Sequence, residues 1–203
     1  MNAILTPISH VDNTGIVTVD GRHHPVDAII CATGFDTTFL GTFPIYGRGG
    51  GGHQDKRKDR HSSYLSIGVD GFPNFFQSLG PNGGLGNGNL IIIIEYICEY
   101  FAKCLQKMST QNILTMEPKK SAIDHFTSFC EAYHKRTVFG EECMSWYKTA
   151  PENATLEERK RGRVTAIWPG SSLHACKVFQ TPRFEDYEIQ FVDSNVFGWF
   201  GNG

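Results

Sequence analysis

The chain has 203 residues, of which 40% are hydrophobic and 20% are charged, the composition of an ordinary globular protein. This length is sufficient for one domain with a hydrophobic core, and we expect a single domain over residues 1–203. The formal net charge of −2 gives no reason to expect nucleic acid or a membrane surface as a partner.

The first predicted elements are two strands joined by a tight turn. Residues 15–19 read Gly-Ile-Val-Thr-Val, a short strand, and Asp20-Gly21 is a hairpin signal because the turn favours positive φ at its central positions. The second strand is predicted as the buried run Val26–Ala32, which ends at Thr33-Gly34. Since the turn is short, the two strands are expected to be antiparallel.

A glycine-rich and charged segment, residues 47–61, follows. Gly47–Gly52 reads Gly-Arg-Gly-Gly-Gly-Gly, and Lys, Arg and Asp side chains come after it. Glycine removes backbone restraint and the charges favour water, which predicts a surface loop, with an anion-binding lid as the alternative. Two short apolar runs, Tyr64–Val69 and Phe75–Leu79, are then predicted as strands.

Two helices and a late strand are predicted in the second half of the chain. A glycine-rich loop, Gly80–Asn89, leads into a helix over residues 90–108 with Asn89 as its N-cap. Pro118 suits the first turn of a second helix, and residues 163–168 form a strand. These elements predict an α+β fold with a small mixed or antiparallel sheet and packed helices.

The six cysteines and eight histidines do not form a recognisable metal motif. No CxxC, HExxH or Cys/His cluster occurs, so we expect no metal. Cys31 and Cys98 lie in apolar runs, which predicts buried thiols. The cysteine spacing does not indicate a disulfide framework, and no signal-peptide pattern begins the sequence. We therefore expect an intracellular, cytoplasmic protein.

Four segments, in this order, carry a resemblance to a known family. They are Asp27–Phe35 with its Ala-Thr-Gly run, Gly71–Phe76 leading to Gly80-Pro81-Asn82, Ser145–Lys148, and Gly162–Ser171 with its Trp-Pro-Gly run. Together they resemble the C-terminal part of the class B flavin monooxygenases, most closely the fungal Baeyer–Villiger type. The resemblance covers nearly the whole chain and implies a truncated remnant of a Rossmann-like flavoprotein fold.

The resemblance also bears on the cofactor. In the family, the segment matching Gly80–Asn89 and the helix after it lie against the flavin ring, where glycines allow close backbone approach. The family's glycine loop for FAD precedes its Ala-Thr-Gly motif, whereas no such loop precedes the motif here. We therefore expect no cofactor, and without flavin there is no carrier for hydride or activated oxygen. If FAD did bind, the residues implied for it are Thr33, Gly34, Gly80 and Asn82.

Three functions are open on this reading. The first is a stand-alone, cofactor-independent biosynthetic enzyme for a redox-neutral isomerisation or cyclisation, such as a Diels–Alder reaction, of a small apolar metabolite. The second is the C-terminal fragment of an FAD- and NADPH-dependent Baeyer–Villiger monooxygenase, and the third is a non-catalytic binding module. A homodimer is also expected, because it would cover apolar faces that the missing nucleotide-binding part leaves exposed.

The first function needs a shaped apolar cavity and a few polar groups that polarise a carbonyl. The candidate catalytic residues are Asn82, Asn87, Asn89, Tyr147 and Lys148. The candidate cavity walls are Phe75, Phe76, Trp146 and Trp168, and the resemblance places the tryptophan segments near the substrate side of the full enzymes.

Overall fold

The computed structural model describes residues 3–32, 39, 41, 43–59, 61–151 and 154–200. The chain divides into two compact units, an N-terminal unit of residues 1–35 and a C-terminal unit of residues 36–203. The prediction of one domain over the whole chain stays a prediction. In the described part of the chain, no helix combines the length and apolar character that crossing a membrane requires.

The N-terminal unit is a three-stranded antiparallel sheet. Its strands are β1 (Ile8–Asp12), β2 (Gly15–Thr18) and β3 (His23–Pro25), in the order β1-β2-β3. Gly21 has φ 79° in the turn between β2 and β3, which confirms the predicted hairpin turn. Asp12 closes the turn between β1 and β2, because its Oδ1 accepts the N–H of Thr14 at 2.8 Å. Hydrogen bonds of this kind lower the pKa of the Asp12 carboxyl group.

The predicted buried strand Val26–Ala32 is wrong. β3 ends at Pro25, and Ile30 is 93% exposed. A buried strand needs a neighbour to pair with its N–H and C=O groups, and no described strand pairs with residues 26–32. Cys31 is accordingly exposed rather than buried. Thr33 and Gly34 lie outside the described residues.

The C-terminal unit is built around α2 (Leu90–Thr110). Asn89 is its N-cap, as predicted, because its side chain accepts the N–H of Ile91 at 2.9 Å. One face of the helix is buried, at spacings of three and four residues. The residues of this face are Ile93, Ile97, Tyr100 and Cys104. Cys98 lies off this face and is exposed, so the buried thiol of the helix is Cys104, whose pKa burial raises to about 12.

Two short antiparallel strand pairs and further helices complete the C-terminal unit. β4 (Ile113–Pro118) pairs with β7 (Tyr187–Phe191), and β5 (Lys148–Thr149) pairs with β6 (Arg163–Val164). The remaining helices are α1 (His53–Asp59), α3 (Lys120–His134), α4 (Leu156–Lys160) and α5 (Ser172–Phe179). Single 3-10 turns occur at Arg48–Gly50, Val138–Gly140, Phe184–Asp186 and Gly198–Phe200. The predicted α+β class with small antiparallel sheets is confirmed.

Several predicted boundaries were wrong. The loop over 47–61 contains α1, because the charged residues after the glycines are good helix formers. Tyr64–Val69 is a tight turn, with φ 46° at Leu65 and 66° at Ser66, and Phe75–Leu79 is irregular. Pro118 ends β4 instead of beginning α3, whose N-cap is Lys119.

We expect the buried face of α2 to dominate the stability of the C-terminal unit. Ile97 is 1% exposed, so Ile97→Ala should lower the free energy of unfolding by about 3 kcal/mol through lost apolar contact and the cavity left behind. Leu105 lies on the same helix and is 57% exposed, so Leu105→Ala should change it by less than about 0.5 kcal/mol. Urea unfolding of both variants measures this, and equal losses would contradict the assignment.

Candidate functional site

The feature that stands out is the corner where the loop 80–89 enters α2. Residues 86–89 are exposed, and so is the apolar start of the helix. Leu90, Ile91 and Ile92 are 39%, 66% and 44% exposed, respectively. A helix begins with N–H groups that have no intrahelical acceptor, so this corner presents polar donors beside apolar side chains.

The base of the loop is held by the chain segment 164–168. Gly84 N donates to Ala166 O at 2.8 Å, and Trp168 N donates to Gly84 O at 2.7 Å. The Asn82 side chain is buried, and its Nδ2 donates to Val164 O and Ile167 O, both at 3.0 Å. The strand predicted over residues 163–168 ends at Val164. Beyond it, the N–H groups of Thr165 and Ala166 both donate to Tyr147 O, while their carbonyls accept from Asn82 N and Gly84 N of the loop.

The glycines of this loop serve its own packing. A Cβ on Gly84 would lie 2.7 Å from Ala166 O, a distance that forces the backbones apart. Gly88 has φ 95°, and a Cβ there would lie 2.8 Å from Ser172 Oγ at the start of α5. The close approach that these glycines allow is therefore to neighbouring backbone and side chains of the same unit.

His134 fixes the other side of segment 164–168. It is the last residue of α3 and is buried, and its Nε2 lies 2.9 Å from Ile167 O. Because a carbonyl oxygen only accepts, Nε2 carries the proton. Nδ1 is buried with no hydrogen-bond partner among the described residues, and burial lowers the pKa of His134. The residue pattern did not indicate this role for His134, although it lies on the buried face of α3 with Ile123 and Cys130.

The five candidate catalytic residues have different structural roles. Asn82 is buried against segment 164–168, Asn89 is the N-cap of α2, and Asn87 is exposed at the tip of the loop. Lys148 is buried, and its Nζ donates to Glu141 O and Lys160 O, so it connects these two residues. Tyr147 is half-buried between the rings of Phe139 and Trp146. Of the five, only Asn87 and Asn89 lie at the exposed corner.

The four candidate walls are also dispersed. Phe75 packs against His53 and Phe76 against Phe101, whereas Trp146 is 61% exposed. Trp168 is buried and lines a cavity of about 340 Å³ between α3 and α5, which none of the other eight predicted catalytic or wall residues lines. Their catalytic and binding roles stay predictions.

The residues implied for FAD are only partly accessible. Gly80 is buried, and the Asn82 amide donates to backbone carbonyls, so neither faces a ligand in this unit. Thr33 and Gly34 lie outside the described residues. The corner at residues 86–92 is the exposed part of the same loop and helix.

The glycine run 47–52 also has the spacing GxGxxG, which is typical of a dinucleotide-binding loop. The structure gives it neither the preceding strand nor the long helix of a dinucleotide loop, because residues 43–45 form no strand and α1 has seven residues. Arg48 Nε lies 3.2 Å from Glu117 Oε1, and Lys56 Nζ lies 2.6 Å from Asp70 Oδ2. Both cations are thus paired with carboxylates, which does not favour the anion-binding lid.

Comparison with known proteins finds sequences similar to nearly the whole of this chain. The FAD-binding monooxygenase stcW of Emericella nidulans is 37% identical over 198 residues, which are 98% of this chain and 31% of the relative. The chain is a relative of the FAD-binding monooxygenases. FAD-binding monooxygenase moxY of Dothistroma septosporum is 34% identical over 98% of this chain and 30% of its own length. No protein-family model matches the chain.

Solved structures agree with the sequence relatives. Cyclohexanone monooxygenase from Rhodococcus sp. Phi1, bound to NADP+, has a TM-score of 0.74 and 26% identity over 92% of this chain and 34% of that chain. A steroid monooxygenase bound to NADP has a TM-score of 0.72 and 26% identity over the same shares. The chain therefore spans about a third of the length of these relatives, and the predicted likeness to the C-terminal part of Baeyer–Villiger enzymes is confirmed.

We expect Asn82 to be essential for the fold of the corner. Asn82→Ala should lower the free energy of unfolding by about 3 kcal/mol, because two buried carbonyls lose a donor and Ala is strained at φ 62°. Asn82→Gly removes the amide without the strain and should be less destabilising. The exposed control, Asn87→Ala, should change stability by less than about 0.5 kcal/mol. Urea unfolding midpoints compare the three, and similar midpoints would refute the role.

His134 should make stability depend on pH. The pKa of His134 is lower in the folded state than the ordinary histidine value of about 6.5. As the pH decreases below about 6.5, the unfolded state therefore takes up a proton before the folded state does, and the free energy of unfolding decreases. The difference in unfolding free energy between wild type and His134→Gln should shrink from pH 6.5 to 5.5, by up to about 1 kcal/mol. His125→Gln, on the exposed side of α3, is the control and should leave the pH dependence of the wild type in place.

Proposed function

We propose that this chain forms the flavin-facing, C-terminal part of an FAD-dependent monooxygenase of the Baeyer–Villiger type. The observation that carries the proposal is the exposed corner at residues 86–92, in a chain whose relatives named FAD-binding monooxygenases match it over 98% of its length. A surface that a globular unit leaves both apolar and rich in N–H donors is suited to a partner or ligand.

The corner suits the flat ring of a flavin. Asn89 accepts the N–H of Ile91, and the other N–H groups of the first turn, with the partial positive charge of the helix start, suit the polar edge of the ring. Leu90 and Ile91 offer apolar contact beside them. The residues that would hold the ring are therefore the backbone of 86–88 and the first turn of α2. When bound, FAD would supply the oxygen-transfer chemistry, and these residues would orient its ring and exclude water.

The dinucleotide part of FAD needs residues beyond those described here. Among the described residues, no strand leads through a glycine loop into a helix, the unit that binds a pyrophosphate. We infer that this unit comes from another part of a longer polypeptide or from a separate one. The exposed apolar side chains at the corner support burial against such a partner, and a second copy of the chain is the alternative occupant.

The redox-neutral isomerase or cyclase acting on a small apolar metabolite is the second candidate. The observation in its favour is the aromatic-lined cavity between α3 and α5, which needs no flavin. Its weakness is that none of the five candidate catalytic residues lines that cavity. A non-catalytic binding module would use the same surfaces without turnover.

A chimera tests the first proposal. The 203 residues replace the matching third of the Emericella nidulans relative, and bound flavin is measured by its absorbance after gel filtration. We expect the chimera to retain FAD. Asn87→Trp, at the exposed tip of the loop, should cut flavin retention by at least about fivefold, because the indole occupies the space of the ring.

Glu188→Trp is the matched control, since Glu188 is an exposed residue of β7 outside the loop. It should retain flavin like the unmodified chimera. A chimera that unfolds cooperatively but holds no flavin, or equal retention in the two tryptophan variants, would refute the proposal. A redox-neutral, mass-conserving conversion of a metabolite by the 203-residue chain without flavin would favour the second candidate instead.

A further inference from the structure

The cavity between α3 and α5, here the α3–α5 cavity, lies outside the flavin-facing corner. Its volume is about 340 Å³, and it shares no lining residue with the loop 80–89. This volume falls within the range of small-molecule sites, roughly 300–1,000 Å³. Its lining combines four aromatic residues with two histidines, one arginine and one carboxylate, and these side chains determine the charge of the ligand that the cavity suits.

Aromatic rings form the walls of the cavity. The rings of Phe126 and Trp168 lie 5.6 Å apart between centroids at 42°, and Tyr64 also contributes to the lining. Phe129 stands at the mouth with 49% of its surface exposed. The face of an aromatic ring carries partial negative charge, and that of tryptophan attracts a cation most strongly. The walls therefore favour a positively charged ligand that also has an apolar part.

The charged group at the rim is net negative. Asp186 Oδ2 accepts the Tyr64 hydroxyl at 2.7 Å and Arg183 Nε at 2.9 Å. Arg183 Nη2 also lies 3.4 Å from Glu185 Oε1, so one guanidinium faces two carboxylates and their summed charge is −1. A carboxylate has about four acceptor sites, of which Asp186 has used two. The rim therefore repels an anion and has acceptors left for a cation.

The two histidines of the lining are compatible with a cation when they are neutral. Trp168 Nε1 donates to His174 Nδ1 at 3.1 Å, and because an indole N–H only donates, this nitrogen is unprotonated and the ring is neutral. His125 is the second imidazole of the lining and is exposed on α3. Protonated imidazoles would add positive charge beside the ligand. Binding is therefore best measured at pH 8, above the ordinary histidine pKa of about 6.5.

We propose that the α3–α5 cavity binds a small organic cation whose charged nitrogen is part of, or attached to, a flat aromatic ring. The ring lies against Phe126, Phe129 and Trp168, and the positive charge lies between the ring faces and the Asp186 carboxylate. The proposal goes beyond the flavin-facing role and does not depend on it, because it requires neither FAD nor a second polypeptide.

The test is isothermal titration of the full 203-residue chain with N-methylquinolinium at pH 8. We expect one saturable site with a Kd below about 1 mM. The probe 2-methylquinoline has the same size but is neutral at this pH, and it should bind at least about fivefold more weakly because it lacks the cation–π attraction. The anion 2-naphthoate should bind at least about tenfold more weakly than the cation, because the rim repels it.

One pair of variants tests the charge of the rim. Arg183→Gln removes the positive charge from the lining and should strengthen binding of N-methylquinolinium by at least about threefold, a gain that damage to the fold would not produce. Arg161→Gln is the matched control, because Arg161 is equally exposed and is ion-paired with Glu142 away from the cavity. It should bind within about twofold of wild type.

A second pair of variants tests the position of the site. Phe129→Lys places a positive charge at the mouth and should weaken binding of the cation by at least about tenfold. Leu105→Lys is its control, since Leu105 is a 57% exposed apolar residue of α2 outside the lining, and it should bind like wild type. No saturable binding to a chain that unfolds cooperatively in urea, equal affinity for the neutral probe, weaker binding by Arg183→Gln, or equal losses in the two lysine variants would each overturn the proposal.

Discussion

The exposed corner of the C-terminal unit depends on the hydrogen bonds between the loop 80–89 and the segment 164–168. These two stretches are about eighty residues apart in sequence, and their backbones exchange bonds through Gly84, Ala166 and Trp168. Asn82 adds two bonds from its side chain, and His134 adds one from the end of α3. Because buried carbonyls must be paired, the segment cannot move without leaving several of them unsatisfied. The position of the loop is therefore set by hydrogen bonds at its base.

The helix α2 has one role along its middle and another at its first turn. Its middle is anchored by Ile97 and Tyr100, which are fully buried, and Tyr100 shares a hydrogen bond with Tyr187 of β7 at 3.0 Å. The apolar side chains of its first turn are exposed, and Asn89 is its N-cap. A helix held rigidly along its centre can present its N-terminus at a fixed position, and a bound ring needs such a fixed surface.

Local signals in the sequence predicted local features well. The N-cap at Asn89 and the hairpin turn at Gly21 need only neighbouring residues. The family was also recognisable, because four ordered segments carried it. The strand at Val26–Ala32 was wrong because strand formation depends on a partner that the residue pattern does not specify.

The site was harder to predict, because the type of a polar residue does not indicate which group it will bond to in the fold. Asn82 and Lys148 were chosen as reactive groups, yet both donate to backbone carbonyls from distant segments. His134 is the converse, since its role follows from Ile167 O, which lies thirty-three residues away in sequence. A side chain of the same type is catalytic or structural according to contacts that only the fold creates.

Trp168 connects the two surfaces of this unit. Its backbone N–H donates to Gly84 O at the base of the loop 80–89. Its indole lines the cavity between α3 and α5 and donates to His174. The backbone and the side chain of Trp168 thus contact two different surfaces. A movement of the segment 164–168 would change both contacts, and it would therefore disturb both the base of the loop and the wall of the cavity. The shared segment, more than any single side chain, determines how the corner and the cavity are related.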